Sequence, residues 1–242
     1  MLGTGIVLLS LPLSVFAQTV PPVQAGKSAQ RLGTVNTNCQ KATAQRLTSL
    51  TEVQTRIPTL KRLSSSQQQQ FSGEVSTNIS GIQGVQTQCT NDFNAGNLTG
   101  LVADYKSVFA NYRIYAEMLP QLHLLIASDT MGYTANNLTT LYGKLQTRVQ
   151  SAGNPSNLTA LLSDMNAKIT DAQTQYNSVE SQAVGLTPSS YNTNPSGTTQ
   201  IFQTARSEIK TGAGDLQTAF SDAKQIVQSI KSSKTISPVP SQ

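Results

Sequence analysis

The chain has 242 residues and a formal net charge of +5, and charged residues make up only 12% of it. It contains no Trp, one His and two Cys, so the side chains on which most catalytic and metal sites depend are scarce. This inventory argues against an enzyme, and no catalytic, metal-binding or cofactor-binding residue is predicted.

An apolar stretch from Ile6 to Phe16 opens the chain, and Val15 and Ala17 are small residues where a signal peptidase cleaves. The stretch is shorter than the ~20 residues that a membrane-spanning helix needs. Residues 1–17 are therefore predicted to be a secretory signal peptide. The missing basic residue before the apolar stretch leaves open a start upstream of Met1, and a buried helix is the alternative reading.

The two cysteines, Cys39 and Cys89, form an even pair in a chain predicted to enter an oxidising compartment. They flank the break Ser64–Ser66 at similar distances along two helical patterns, residues 28–62 and 67–93. An antiparallel hairpin turning at that break brings them level, on the apolar faces of both helices. The sequence therefore predicts a Cys39–Cys89 disulfide, with two buried free thiols as the alternative.

Three further helical patterns follow. Asn97 is the predicted N-cap of a long helix over 98–151, bent near Pro120, because proline inside a helix removes a backbone hydrogen bond. Asn157 is the predicted N-cap of the fourth helix, residues 186–199 form a loop, and the fifth helix covers about 200–232. Residues 18–26 and 233–242 are predicted to be flexible tails.

These elements predict an all-α fold, an elongated antiparallel bundle of two three-helix units that share the long central helix. The first unit covers residues 27–120 and the second 121–232. The alternative is a single compact bundle folded back at Pro120.

Four segments on the predicted helices carry a family resemblance. The chain resembles a family of uncharacterised secreted helical proteins from uncultured small-genome bacteria, over roughly residues 36–231. The segments are Tyr112-Arg113-Ile114-Tyr115 with Leu119-Pro120, then residues 141–148, 165–173 and 222–227. The resemblance implies helices, export and a bacterial origin, and it supplies no site residue.

Several short motifs and single residues resemble catalytic or metal-binding groups but lack the partners that such sites need. Ser221 and Lys224 fit S-x-x-K, but the K-T-G at Lys210 precedes them, the reverse of the order in penicillin-binding enzymes. His123 has no second His or nearby Cys, so it lacks the partners of a metal site. Asp164 and Asp171 are read as a solvated face.

Charge is uneven along the chain. Residues 18–62 contain seven basic residues and one acidic residue. At 100° per residue, Lys27, Arg31, Lys41 and Arg56 fall within a sector of about 80° beside the apolar stripe of the first helix. Arg46 instead projects into that stripe and needs a partner there. The basic sector is a candidate anion-binding surface, with a solvated helix face as the alternative.

The sequence thus predicts a secreted or extracytoplasmic, non-enzymatic helical protein that acts as a spacer, scaffold or interaction protein at the cell envelope. The alternative function is binding of an anionic envelope polymer or membrane surface through the first helix. No cofactor and no nucleic acid is expected. The partner class stays open between an envelope polymer, a membrane surface and another protein.

Overall fold

The computed structural model describes residues 22–235, so the predicted signal peptide lies outside the described part of the chain. Residues 22–235 fold into α-helices without a strand, which confirms the all-α class. The helices are α1 (Pro22–Arg56), α2 (Ser65–Asn94), α3 (Leu98–Ala110), α4 (Leu119–Ser151), α5 (Ser156–Val184), α6 (Pro188–Thr193) and α7 (Pro195–Thr235).

The long helices pack as two three-helix units. The first unit consists of α1, α2 and α3, and the second of α4, α5 and α7. Helices α3 and α4 are not packed along each other, which favours two units over the folded-back single bundle. The apolar core of the first unit continues into the start of α4, the end of α5 and the start of α7, so the two units share a core where they meet.

The hairpin of the first unit turns where the sequence predicts. Ser64 caps α2: its side chain accepts a hydrogen bond from the Gln67 backbone N–H, and the Gln67 side chain accepts one from the Ser64 N–H. A 3₁₀ turn, Ile57–Thr59, ends α1 earlier than predicted. The Cys39–Cys89 disulfide is confirmed, with its Cα atoms 6.6 Å apart and both residues fully buried.

The junction between the units differs from the predicted bent helix. The chain breaks after Ala110, before Pro120, and Arg113 adopts the left-handed region with φ of 42°. A π-helical turn, Ile114–Met118, then leads into α4. Pro120 lies in the first turn of α4, directly after the π-helical turn and beyond the end of α3, rather than inside one continuous α-helix.

The remaining boundaries shift by short stretches. Asn97 caps α3 as predicted, accepting a hydrogen bond from the Gly100 N–H. The predicted cap Asn157 lies inside α5, which begins at Ser156 without a side-chain cap. The helix α1 begins within the predicted tail 18–26, and α7 extends past residue 232.

The predicted loop 186–199 contains the short helix α6 and the start of α7. Thr187 caps α6 by accepting a hydrogen bond from the Ser190 N–H. This cap stabilises the first turn of α6, which also packs against α7 and the π-helical turn.

Candidate functional site

The four predicted surface cations of α1 are all exposed. Lys27, Arg31 and Lys41 have no ion-pair partner among the residues that the structure describes, whereas Arg56 pairs with Glu52 at 3.6 Å. Every residue from 26 to 31 is exposed, so this stretch of α1 is not packed against another described helix. The basic sector is therefore an open surface carrying three unpaired cations.

The turn after α1 binds to the second unit through its backbone. The Lys61 and Arg62 N–H groups donate hydrogen bonds of 2.6 and 2.7 Å to Oδ1 of Asp129 on α4. Asp129 is only 8% exposed. Hydrogen bonds to an ionised acceptor are about twice as strong as neutral ones, and partial burial limits competition from water.

The Arg62 side chain extends the same connection to α5. Its guanidinium forms an ion pair with Glu180 at 3.1 Å, donates to Asn177 and lies 4.0 Å above the ring of Tyr176. Gly132 of α4 leaves room for this side chain, since a Cβ there would collide with it. One turn of the first unit is thus bonded to two helices of the second.

Arg46 is buried between two aromatic rings. Its guanidinium carbon lies 4.5 Å from the ring centre of Phe109 and 4.7 Å from that of Tyr115, and one Nη donates to the Ala42 carbonyl. It has no carboxylate partner within residues 22–235, and burial lowers the pKa of its side chain. The predicted partner of Arg46 is therefore a pair of π faces rather than an acid.

The π-helical turn buries an acid that the sequence analysis did not single out. Glu117 is 1% exposed, and neither of its carboxylate oxygens accepts a hydrogen bond from a described residue. Burial, and secondarily the negative charge of Glu74, raise the pKa of Glu117 to about 7. The carboxyl group is accordingly neutral in mildly acidic solution and charged above neutral pH.

A cleft of about 460 Å³ opens where α1, the π-helical turn, α4 and α7 meet. Its floor is apolar and includes Leu119 and Leu124, and its rim carries polar groups. The rim contains Ser49, Glu52, Tyr115, His123 and Arg206. His123 is exposed there, as an ordinary residue of α4.

Asp164 and Asp171 of α5 are both exposed, which agrees with the solvated face predicted from the sequence. Asp164 lies beside Asp222 of α7, and burial together with the charge of Asp164 raises the pKa of Asp222. Lys168 forms an ion pair with Asp215 at 3.0 Å, again between α5 and α7. Among the described residues, no group of three His, Cys, Asp or Glu side chains is arranged to hold a metal ion.

None of the helices within residues 22–235 has the length and apolar character needed to cross a bilayer. Comparison of the chain with known protein families, curated proteins and solved structures gives no match. The family resemblance drawn from the sequence therefore stays a prediction.

Proposed function

We propose that the protein is a non-enzymatic, exported helical scaffold that acts as a rigid spacer at the cell envelope. The observation that carries this proposal is the junction, where Asp129 and Arg62 tie the first unit to α4 and α5 of the second. A spacer needs such a connection, because two units on a free hinge would not keep their ends apart.

Two features support the extracytoplasmic location. The first is the signal-like segment at the start of the chain, and the second is the Cys39–Cys89 disulfide, since such bonds form and persist in oxidising compartments.

Small-angle X-ray scattering of residues 18–242 tests the spacer. Helices α1 and α4 lie in different units, and each is about 50 Å long at 1.5 Å per residue. We expect a radius of gyration well above the ~17 Å of a compact domain of this size. A value near the compact one would contradict the proposal.

We propose as a second candidate that α1 binds an anionic envelope polymer or membrane surface. The supporting observation is that Lys27, Arg31 and Lys41 are exposed and unpaired within residues 22–235. Replacement of all three by Gln should abolish sedimentation with phosphatidylglycerol vesicles at low salt, and added salt should weaken wild-type binding because screening acts within ~8 Å at physiological ionic strength.

The matched control for this measurement replaces Arg206, Lys210 and Lys224 of α7 by Gln, which removes the same charge from the other unit. This control should still sediment with the vesicles. Equal sedimentation of the wild type and the α1 variant would exclude α1 as the binding surface.

A further inference from the structure

A groove runs along the seam between α4 and α7. The cleft of about 460 Å³ lies at one end, and a second cavity of about 370 Å³, lined only by α4 and α7, lies further along. The lining of the two cavities extends from Leu119 to Leu138 on α4 and from Arg206 to Phe220 on α7. Residue numbers rise together on both helices, so α4 and α7 run parallel beneath the groove.

The two cavities lie on one continuous face of each helix. At 100° per residue, the lining positions span a sector of about 140° on α4 and about 100° on α7. The lined part of α4 is about 28 Å long, and the two cavities are centred about ten residues, or three helical turns, apart. A groove of this length accommodates a helix of about 18 residues whose bulky apolar side chains recur three turns apart.

The two sides of α7 carry opposite charges. Its acids face α5: Glu208 accepts hydrogen bonds from Ser178 and Gln182, Asp215 pairs with Lys168, and Asp222 lies beside Asp164. Three of its exposed cations lie beside the groove, within a sector of about 40°. These are Arg206, Lys210 and Lys224.

The groove has little negative charge of its own. Arg206, Lys210 and Lys224 have no carboxylate partner among the described residues, and Lys224 lies over the half-exposed ring of Phe220 at 4.5 Å. The only acid of α4 is Asp129, which is buried and bonded to the turn after α1. Glu52, at the end of the groove, is paired with Arg56.

The two terminal segments outside the described residues lack the charge that would complement the groove. Residues 1–21 and 236–242 contain no Asp or Glu. A second copy packed groove to groove would place the α7 cations of both copies opposite one another, which is unfavourable. Charge complementarity therefore points to a different protein.

We propose that the α4–α7 groove binds an acidic amphipathic helix of a partner protein, with apolar side chains in the two cavities and carboxylates beside Arg206, Lys210 and Lys224. Such a partner surface goes beyond the spacer function, and binding to the groove does not depend on the length of the molecule. The partner helix carries two apolar anchors about ten residues apart, flanked by Glu or Asp.

The test uses a fluorescein-labelled 18-residue peptide with Leu on one helical face and Glu on its flanks, and fluorescence anisotropy with the full mature chain. The first control peptide has Lys in place of every Glu, and the second is a scramble of the acidic peptide. We expect saturable binding of the acidic peptide and at least roughly tenfold weaker binding of both controls.

Variants of the protein locate the binding surface. Ala127→Phe and Ala213→Phe each fill one cavity, and each should weaken binding roughly tenfold. Replacement of Arg206, Lys210 and Lys224 by Gln should weaken binding and reduce its salt dependence, whereas the same change at Lys27, Arg31 and Lys41 should leave both unaltered. Ala213 is exposed, so Ala213→Phe tests the cavity even if Ala127→Phe fails to fold.

Four results would overturn the inference. Equal binding of the acidic and the basic peptide would remove the charge argument. Unchanged peptide binding by Ala213→Phe would show that the peptide does not occupy the groove. An equal loss of binding in the variant of Lys27, Arg31 and Lys41 would show that the peptide is attracted to surface cations in general. Binding of a small apolar anion such as anilinonaphthalene sulfonate without binding of the acidic peptide would assign the cavities to small ligands instead.

Discussion

Loss of the Cys39–Cys89 disulfide should lower the free energy of unfolding by about 4 kcal/mol, the largest effect expected of any single bond in this protein. The two cysteines are separated by 50 residues, and opening a loop of that length returns chain entropy to the unfolded state. The helical signal at low temperature should change little, because the helices are held by packing as well as by the disulfide.

Thermal unfolding followed by circular dichroism, with and without reductant, measures this effect. The double variant Cys39→Ala with Cys89→Ala should match the reduced wild type, and reductant should not alter its melting temperature. A wild-type melting temperature that does not respond to reductant would contradict the prediction.

The buried acid Glu117 should make stability depend on pH. Its pKa is raised from 4.5 to about 7 in the folded state, so the folded protein holds the proton more tightly than the unfolded chain does. The contribution of Glu117 to the free energy of unfolding is therefore most favourable below pH 4.5, and it decreases as the pH rises towards 7. A shift of this size corresponds to about 3 kcal/mol.

Glu117→Gln isolates this contribution, since the amide does not titrate. Between pH 4.5 and 7, the unfolding free energy of the wild type should fall relative to that of the variant, as measured by urea unfolding. Glu52→Gln, at an exposed acid, is the control and should show no such trend. A difference that is the same at pH 5 and pH 8 would show that Glu117 is charged throughout this range.

The sequence predicted the elements that depend on local patterns. The hairpin and the disulfide follow from helical rise and from a break at Ser64, which local capping hydrogen bonds then fix. The packing of three helices in each unit likewise follows from apolar stripes and short connections.

The junction was not predictable in this way. A continuous helix through Val108 would place Tyr115 inward and Glu117 about 180° away, in solvent. The left-handed residue Arg113 and the π-helical turn rotate this segment, so Tyr115 is 46% exposed and Glu117 is buried. A change in helical period of this kind leaves no signal in a pattern read at 3.6 residues per turn.

The contacts that join the units also could not be predicted from the sequence. Asp129 is 67 residues from Arg62 along the chain, and Glu180 is 118 residues away. Periodicity shows which face of a helix is polar, but not which distant residue that face will meet. Arg46 is an intermediate case, since its position in an apolar stripe predicted a partner without showing that the partner would be Phe109 and Tyr115.

The claim that the two units form one rigid body is tested most directly by a distance measured across the junction. Spin labels carried by genetically encoded amino acids at the exposed positions Thr77 on α2 and Thr174 on α5 leave the disulfide intact. Pulsed electron paramagnetic resonance should give one narrow distance distribution for the otherwise wild-type chain. The same pair of labels combined with Asp129→Ala and Arg62→Ala should give a broader distribution, whereas a broad distribution without those two substitutions would contradict the rigid spacer.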